Sequence, residues 1–134
     1  MSDLEGLLSR LIVERVDFVV VGGFAAVAHG STLMTRDVDI CCGFSVENLM
    51  LLQQAMADLH PVHRMTPKRL PLALTPDSCG QLQNLYLHTD MGQLDCLSCV
   101  SGVGDFETVK AKSIAVSLPK GPGRFDSSER SHWP

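Results

Sequence analysis

The sequence has no apolar run long enough to cross a bilayer, and its first residues lack the basic start of a secretory signal peptide. We therefore expect a cytoplasmic protein without a membrane partner. Charge is also sparse, with 19% charged residues and a net charge of −4. This balance argues against a protein that coats nucleic acid nonspecifically, although a local basic patch can still hold an RNA end. A chain of 134 residues, 45% of them hydrophobic, is sufficient for a globular domain with a real core.

Cysteines at metal-site spacing are scarce as well. The chain has five cysteines, an odd number, and the pair Cys96-x-x-Cys99 has no second pair at matching spacing. In a chain without a signal peptide, cysteines are more often reduced thiols than parts of a disulfide framework. We expect small, buried, largely apolar side chains rather than a zinc site.

The most informative stretch begins with a short apolar strand, Phe18 to Val21, and ends with a second strand that carries Asp37 and Asp39. The first strand is apolar on both faces, which predicts a central position in a sheet. Side chains alternate along a strand, so Asp37 and Asp39 are predicted to share one face. Two adjacent carboxylates repel each other unless a cation lies between them. Hard oxygen ligands of this kind suit Mg²⁺ or Mn²⁺.

A glycine turn, Gly22-Gly23, separates the first strand from a helix-compatible segment that ends near His29. Exposed backbone N–H groups and the positive end of a helix dipole attract phosphate. The segment therefore combines an anion-binding turn with a metal-binding strand. His29 could contact a phosphate, but a histidine near a helix end more often has a structural role.

The run GGFAAVAHGSTLMTRDVDI, from Gly22 to Ile40, has two glycines, thirteen further residues and then Asp-Val-Asp-Ile. It resembles the signature of the DNA polymerase β-like nucleotidyltransferase superfamily. It looks especially like the small bacterial nucleotidyltransferases related to abortive-infection and toxin–antitoxin systems. That family needs a third carboxylate on a neighbouring strand, and Leu94-Asp95-Cys96 matches its hydrophobic-Asp-hydrophobic form. The resemblance covers roughly residues 4 to 118.

The resemblance implies an α/β (α+β) domain with a mixed, partly antiparallel sheet flanked by helices, which is the minimal nucleotidyltransferase fold. It implies metal-dependent transfer of a nucleoside monophosphate from an NTP to an acceptor hydroxyl of RNA, protein or a small molecule, with release of pyrophosphate. Three carboxylates take the catalytic and metal-binding roles: Asp37, Asp39 and Asp95. Four residues take the nucleotide-binding role: Gly22, Gly23, Thr35 and Arg36. A turn hydroxyl and a surface ion pair are the alternatives for the last two.

Elsewhere the chain contains regular signals of helices and strands. Apolar spacing predicts helices over residues 3–16 and over Val46 to Leu59, the second capped by Ser45. Residues 81–88 and 93–100 flank a glycine-containing turn and predict a β-hairpin with Asp95 on its second arm. Asp105 is placed to cap a short helix, followed by a strand over Ile114 to Leu118. The proline-rich stretch between 60 and 80 predicts a strand fragment with a loop or short helix. It also carries Arg64, Lys68 and Arg69, which are candidates for phosphate contacts or a solvated face.

The last residues, 119–134, have no apolar period and are dense in Pro, Gly, Ser and charge. We therefore expect a nucleotidyltransferase-like domain over 1–118 and a mobile tail over 119–134. Related proteins continue here with a further strand and a basic helix. The alternative function is consequently an inactive binding or regulatory module of the same fold, and an unrelated α/β protein with surface aspartates is the third hypothesis. The expected partners are an NTP, an RNA or protein acceptor and a cognate antitoxin, with a homodimer as a further hypothesis.

Overall fold

The computed structural model describes residues 3–21, 37–118 and 121–126, with only the backbone at 3–5, 37, 114–118 and 125–126. Four α-helices lie within these ranges: α1 (Asp3–Val13), α2 (Val46–Met56), α3 (Pro76–Cys79) and α4 (Phe106–Ala111). The strands are β1 (Phe18–Val21), β2 (Asp37–Cys42), β3 (Val62–His63), β4 (Asn84–Thr89), β5 (Gly92–Leu97), β6 (Cys99–Val100), β7 (Gly104–Asp105), β8 (Ser113–Leu118) and β9 (Gly121–Asp126). No helix among the described residues is long and apolar enough to cross a membrane.

Seven strands form one mixed sheet in the order β3-β4-β5-β2-β1-β9-β8, and β6 and β7 form a separate pair. The strand β1 is antiparallel to β2, whereas β2 is parallel to β5. The hairpin β4-β5 turns at Asp90 and Met91, and Gly92 takes a φ of 119°. This mixed α+β architecture confirms the predicted fold class. It also confirms that β1 is central, because all four of its residues are buried.

One face of the sheet is packed against the two longest helices. Every second residue of β2 lies in a single hydrophobic core: Val38, Ile40 and Cys42. Leu94 and Cys96 of β5 belong to the same core, together with residues of α1 and α2. Helix α2 begins at the predicted cap, since the Ser45 side chain accepts a hydrogen bond from the Asn48 backbone. The apolar residues predicted to line this helix and the 3₁₀ turn that follows it are buried: Leu49, Leu52, Met56 and Leu59.

The opposite face has a smaller apolar cover. Helix α4 places Phe106 and Val109 over Val19, Val21 and Cys41, with Val100 and Val103 packed alongside. The same face carries Asp39 and Asp95, which are only partly buried. The difference in cover between the two faces thus leaves room for polar groups beside the centre of the sheet.

The prediction of a mobile tail from residue 119 is wrong for residues 121–126. These residues form β9, which is antiparallel to β8 and parallel to β1 through the pair Val20 and Phe125. The sequence of β9 lacks strand periodicity, and pairing with the two neighbouring strands accounts for its extended conformation. The folded domain therefore extends beyond Leu118, and residues 127–134 lie outside the described ranges.

Candidate active site

Two carboxylate residues lie side by side on adjacent parallel strands. The register of β2 with β5 pairs Asp39 with Asp95, and Val38 and Ile40 with Leu94 and Cys96. Adjacent strands are separated by about 4.8 Å, and paired residues project from the same face of the sheet. The hydrophobic pairs enter the core, so the two carboxylates share the opposite face. Residues 56 positions apart in the sequence, 39 and 95, are thereby brought together.

The end of β1 lies at the same place. Val21 pairs with Asp39 across the antiparallel ladder, and it is the residue that directly precedes Gly22 in the sequence. The predictions for Gly22, Gly23, His29, Thr35 and Arg36, with the helix from Gly23 to His29, lie outside the described residues.

The third predicted carboxylate residue, Asp37, begins β2 two residues before Asp39, and its backbone pairs with Gln93. No group of three metal-ligating residues occurs among the side chains that the structure describes, and the Asp37 side chain is not one of them. Carboxylate oxygens at Asp39 and Asp95 are the ligand type that Mg²⁺ and Mn²⁺ prefer. Both residues are partly exposed, so the donor set present fits a hydrated divalent cation.

Arg64 completes the described part of the site. Its Nη2 atom donates a hydrogen bond to Asp95 Oδ1 at 2.6 Å, and its guanidinium lies 5.6 Å from the centroid of the Tyr86 ring. Tyr86 is the residue of β4 that pairs with Asp95. Arg64 therefore belongs to the carboxylate site, whereas the other two members of the basic cluster, Lys68 and Arg69, are exposed.

The cysteines on the core side of these strands remain thiols. All five cysteines are free, and every one except Cys99 is buried. A hydrogen bond with Cys42, burial, and the negative charges of Asp95 and Asp39 raise the pKa of Cys96 well above its ordinary value. Metal ligation requires a thiolate. Cys96 is accordingly a core residue, as the sequence predicted.

No model of a known protein family matches the chain, and no curated protein matches its sequence. Solved structures do match in three dimensions. The solution structure of the antibiotic-resistance factor ANT(2'')-Ia has a TM-score of 0.55 at 13% identity, over 98% of this chain and 75% of that chain. The crystal structure of ANT(2'')-Ia in complex with adenylyl-2''-tobramycin has a TM-score of 0.54 at 14% identity, over 98% of this chain and 79% of that one.

This chain has a nucleotidyltransferase fold. At this level of identity the likeness to ANT(2'')-Ia concerns the fold, and the superfamily that the sequence motif suggested remains a prediction. The toxin–antitoxin type remains a prediction as well.

Sequence analysis missed the role of Arg64. The residue was grouped with Lys68 and Arg69 because the three are close in sequence, but the partner of Arg64 lies 31 positions away. Only the pairing of β4 with both β3 and β5 brings the two groups together. A signal was present in the alternation of β4, because Tyr86 falls on the face opposite to the buried Leu85 and Leu87.

Proposed function

We propose that this protein transfers a nucleoside monophosphate from an NTP to an acceptor hydroxyl and releases pyrophosphate. The observation that carries the proposal is the register of Asp39 with Asp95 on two parallel strands, next to Val21, which directly precedes Gly22 in the sequence. The fold shared with ANT(2'')-Ia supports nucleotidyl transfer in general. The acceptor and the metal are part of the proposal.

In this proposal Asp37, Asp39 and Asp95 hold Mg²⁺ or Mn²⁺. When bound, divalent cations neutralise the charge on the phosphates and on the attacking and leaving oxygens. Gly22 and Gly23 let backbone amides approach the triphosphate without a side chain between them, and Thr35 and Arg36 contact it from the same connection. Asp95 accepts the proton of the acceptor hydroxyl. The new bond joins the acceptor oxygen to the α-phosphorus, while the bond from that phosphorus to the bridging oxygen breaks and pyrophosphate leaves.

The acceptor can be a small molecule, RNA or a protein. The fold of ANT(2'')-Ia, whose crystal structure contains adenylyl-2''-tobramycin, favours a small-molecule hydroxyl. The motif resembles toxin-like nucleotidyltransferases, which favours RNA or a protein and brings a cognate antitoxin with it. A cytoplasmic location and a homodimer belong to the same set of expectations.

A binding module without turnover is the second candidate. The sequence suggested it because a further strand and a basic helix seemed to be missing after residue 118, and the presence of β9 answers the part of that argument that concerns the strand. A different observation now favours it. Arg64 holds Asp95 in an ion pair in which both side chains are about one fifth exposed, at 22% and 21%. In this arrangement Asp95 Oδ1 already accepts a hydrogen bond from the Arg64 guanidinium.

One assay separates the two candidates. The protein is incubated with each α-labelled NTP and Mg²⁺ or Mn²⁺, together with an aminoglycoside, total RNA or no added acceptor. Pyrophosphate release, label transfer and NTP binding are then measured. We expect cation-dependent transfer to one acceptor class and its loss in Asp37→Ala. NTP binding without release under every condition would favour the module, and absence of both binding and release would refute the proposal.

A further inference from the structure

Arg64 forms an ion pair with Asp95, and Asp95 is one of the residues that hold the metal ion in the proposed function. We propose that Arg64 is an internal counter-ion that competes with a divalent cation for Asp95. The inference rests on the proposed function for the role of Asp95, but its own subject is the cation affinity of the nucleotide-free protein.

The position of Arg64 is fixed by its backbone and by its ring contact. The Arg64 backbone N–H donates to the Tyr86 carbonyl at 2.8 Å, and the guanidinium lies over the ring of the same tyrosine. The loop 64–69 is closed at its base, because His63 donates to the Leu70 carbonyl at 2.8 Å and Val62 bridges to Pro71. Because the Arg64 backbone is hydrogen-bonded and its guanidinium lies over the Tyr86 ring, the side chain loses little conformational entropy when it pairs with a carboxylate. The ion pair is therefore a built feature of the fold.

The charges explain why a counter-ion is needed. Asp39 and Asp95 are neighbours across β2 and β5, and two negative charges at this spacing repel each other. The positive charge of Arg64 reduces that repulsion in the protein without a cation. Because both members of the pair are largely shielded from water, screening by salt is weaker than for a surface pair.

The same charge opposes a divalent cation. A cation at Asp95 would be brought close to the guanidinium, and the two positive charges repel each other. A guanidinium remains charged at physiological pH, so it cannot relieve the repulsion by losing a proton. It must leave Asp95, and the phosphates of an incoming NTP are a favourable new partner, since arginine pairs well with phosphate oxygens. Cation binding is thereby coupled to nucleotide binding: it is weak with the cation alone and stronger when an NTP is present.

The test measures Mn²⁺ affinity by the electron paramagnetic resonance signal of free Mn²⁺, without nucleotide. We expect Arg64→Met to bind Mn²⁺ about ten-fold more tightly than the wild type, because a competing charge in contact with the ligand is removed. The matched control is Lys68→Met, which removes the same charge from an exposed position of the same loop. Its affinity should change by less than about two-fold, because solvent and salt screen that charge.

The outcomes are distinguishable. Equal or weaker Mn²⁺ binding by a folded Arg64→Met would overturn the proposal and leave the ion pair a structural link between the loop and β5. If Arg64→Met does not fold, Arg64→Lys keeps the charge but loses the planar contact with Tyr86, and it should bind Mn²⁺ more tightly than the wild type by a smaller factor. The wild type gives a second test, since a nonhydrolysable NTP should strengthen its Mn²⁺ binding. Mn²⁺ binding that is unchanged in Asp39→Asn would instead refute the proposed function.

Discussion

The two ends of β2 both place carboxylates beside the sheet, but they use them differently. Beyond Cys42 a cavity of about 490 Å³ is lined by four acidic residues: Asp17, Glu47, Asp105 and Glu107. Next to the start of β2, Asp39 and Asp95 face each other across parallel strands. On acidic content alone, this cavity is the better candidate for a cation site.

The interactions of the four acidic residues argue against a cation site in this cavity. Asp17 is paired with Lys110 at 3.0 Å, and Asp105 accepts hydrogen bonds from the backbone and hydroxyl of Thr108 as the cap of α4. Glu47 and Glu107 lie in the first turns of α2 and α4, where negative charge stabilises the helix dipole. Each of these acids thus has a role in the fold. Asp95 also has a partner, Arg64, but strand register places a second carboxylate, Asp39, directly beside it, and two like charges at this spacing repel each other.

Replacing one acidic residue near each end of β2 by asparagine should give the largest difference in transfer activity between two variants. We expect Asp39→Asn to lower nucleotidyl transfer by about 10³-fold, since a lost metal ligand removes several kcal/mol of transition-state stabilisation. Asp105→Asn should keep the activity within about two-fold, because asparagine also caps helices. Pyrophosphate release under saturating NTP measures both variants, and circular dichroism checks that they are folded. Equal losses in the two variants would contradict the division of roles between the two ends.

Asn48, which lines the cavity, tests whether this end of β2 contributes to stability and not to activity. It is 7% exposed; its Oδ1 accepts from the Asp17 backbone, and its Nδ2 donates to the carbonyls of Asp17 and Gly43. Asn48→Ala leaves these buried backbone groups without partners, and we expect the free energy of unfolding to fall by about 3 kcal/mol. Urea denaturation measures the loss, and Gln54→Ala, at an exposed position of the same helix, should stay within about 0.5 kcal/mol. Transfer activity per folded molecule should be unchanged, and a loss of activity at full stability would place Asn48 in the site.

Most of the elements that carry the site could be predicted from the sequence because their signals are local. The caps Ser45 and Asp105, the apolar strand β1 and the turn before Gly92 each depend on residues a few positions apart. The meeting of Asp39 with Asp95 depends on which strands are neighbours, which periodicity alone does not determine. It was expected because the motif resembles a known superfamily.

Two features of the structure lay beyond a reading of local pattern. The strand β9 contains Pro122 and three further residues that disfavour or weaken strands, Gly121, Gly123 and Asp126. It is held by pairing with β8 and β1, so tertiary contacts override its composition. Arg64 was missed for a related reason, since its partner is set by two successive strand pairings and not by spacing.

The smallest expected effect concerns acid stability at the cavity end. Hydrogen bonds from the backbone and then the hydroxyl of Thr108 lower the pKa of Asp105 below its ordinary value. A carboxylate with a lowered pKa in the folded state stabilises the protein at pH values above its unfolded pKa of about 3.9, and this contribution is lost as pH falls through the folded value. Asp105→Asn keeps a capping oxygen but does not ionise.

This contribution is measured as the slope of the urea unfolding midpoint against pH between pH 6 and pH 2. The midpoint of Asp105→Asn should fall less steeply below about pH 4 than that of the wild type. The matched variant Thr108→Val keeps the carboxylate and the backbone bond but loses the hydroxyl bond, so its slope should lie between the other two. Parallel curves for all three proteins would mean that the charge of Asp105 contributes nothing to this helix start. Asp105 would then not differ from Asp39 and Asp95 by a measurable contribution to stability.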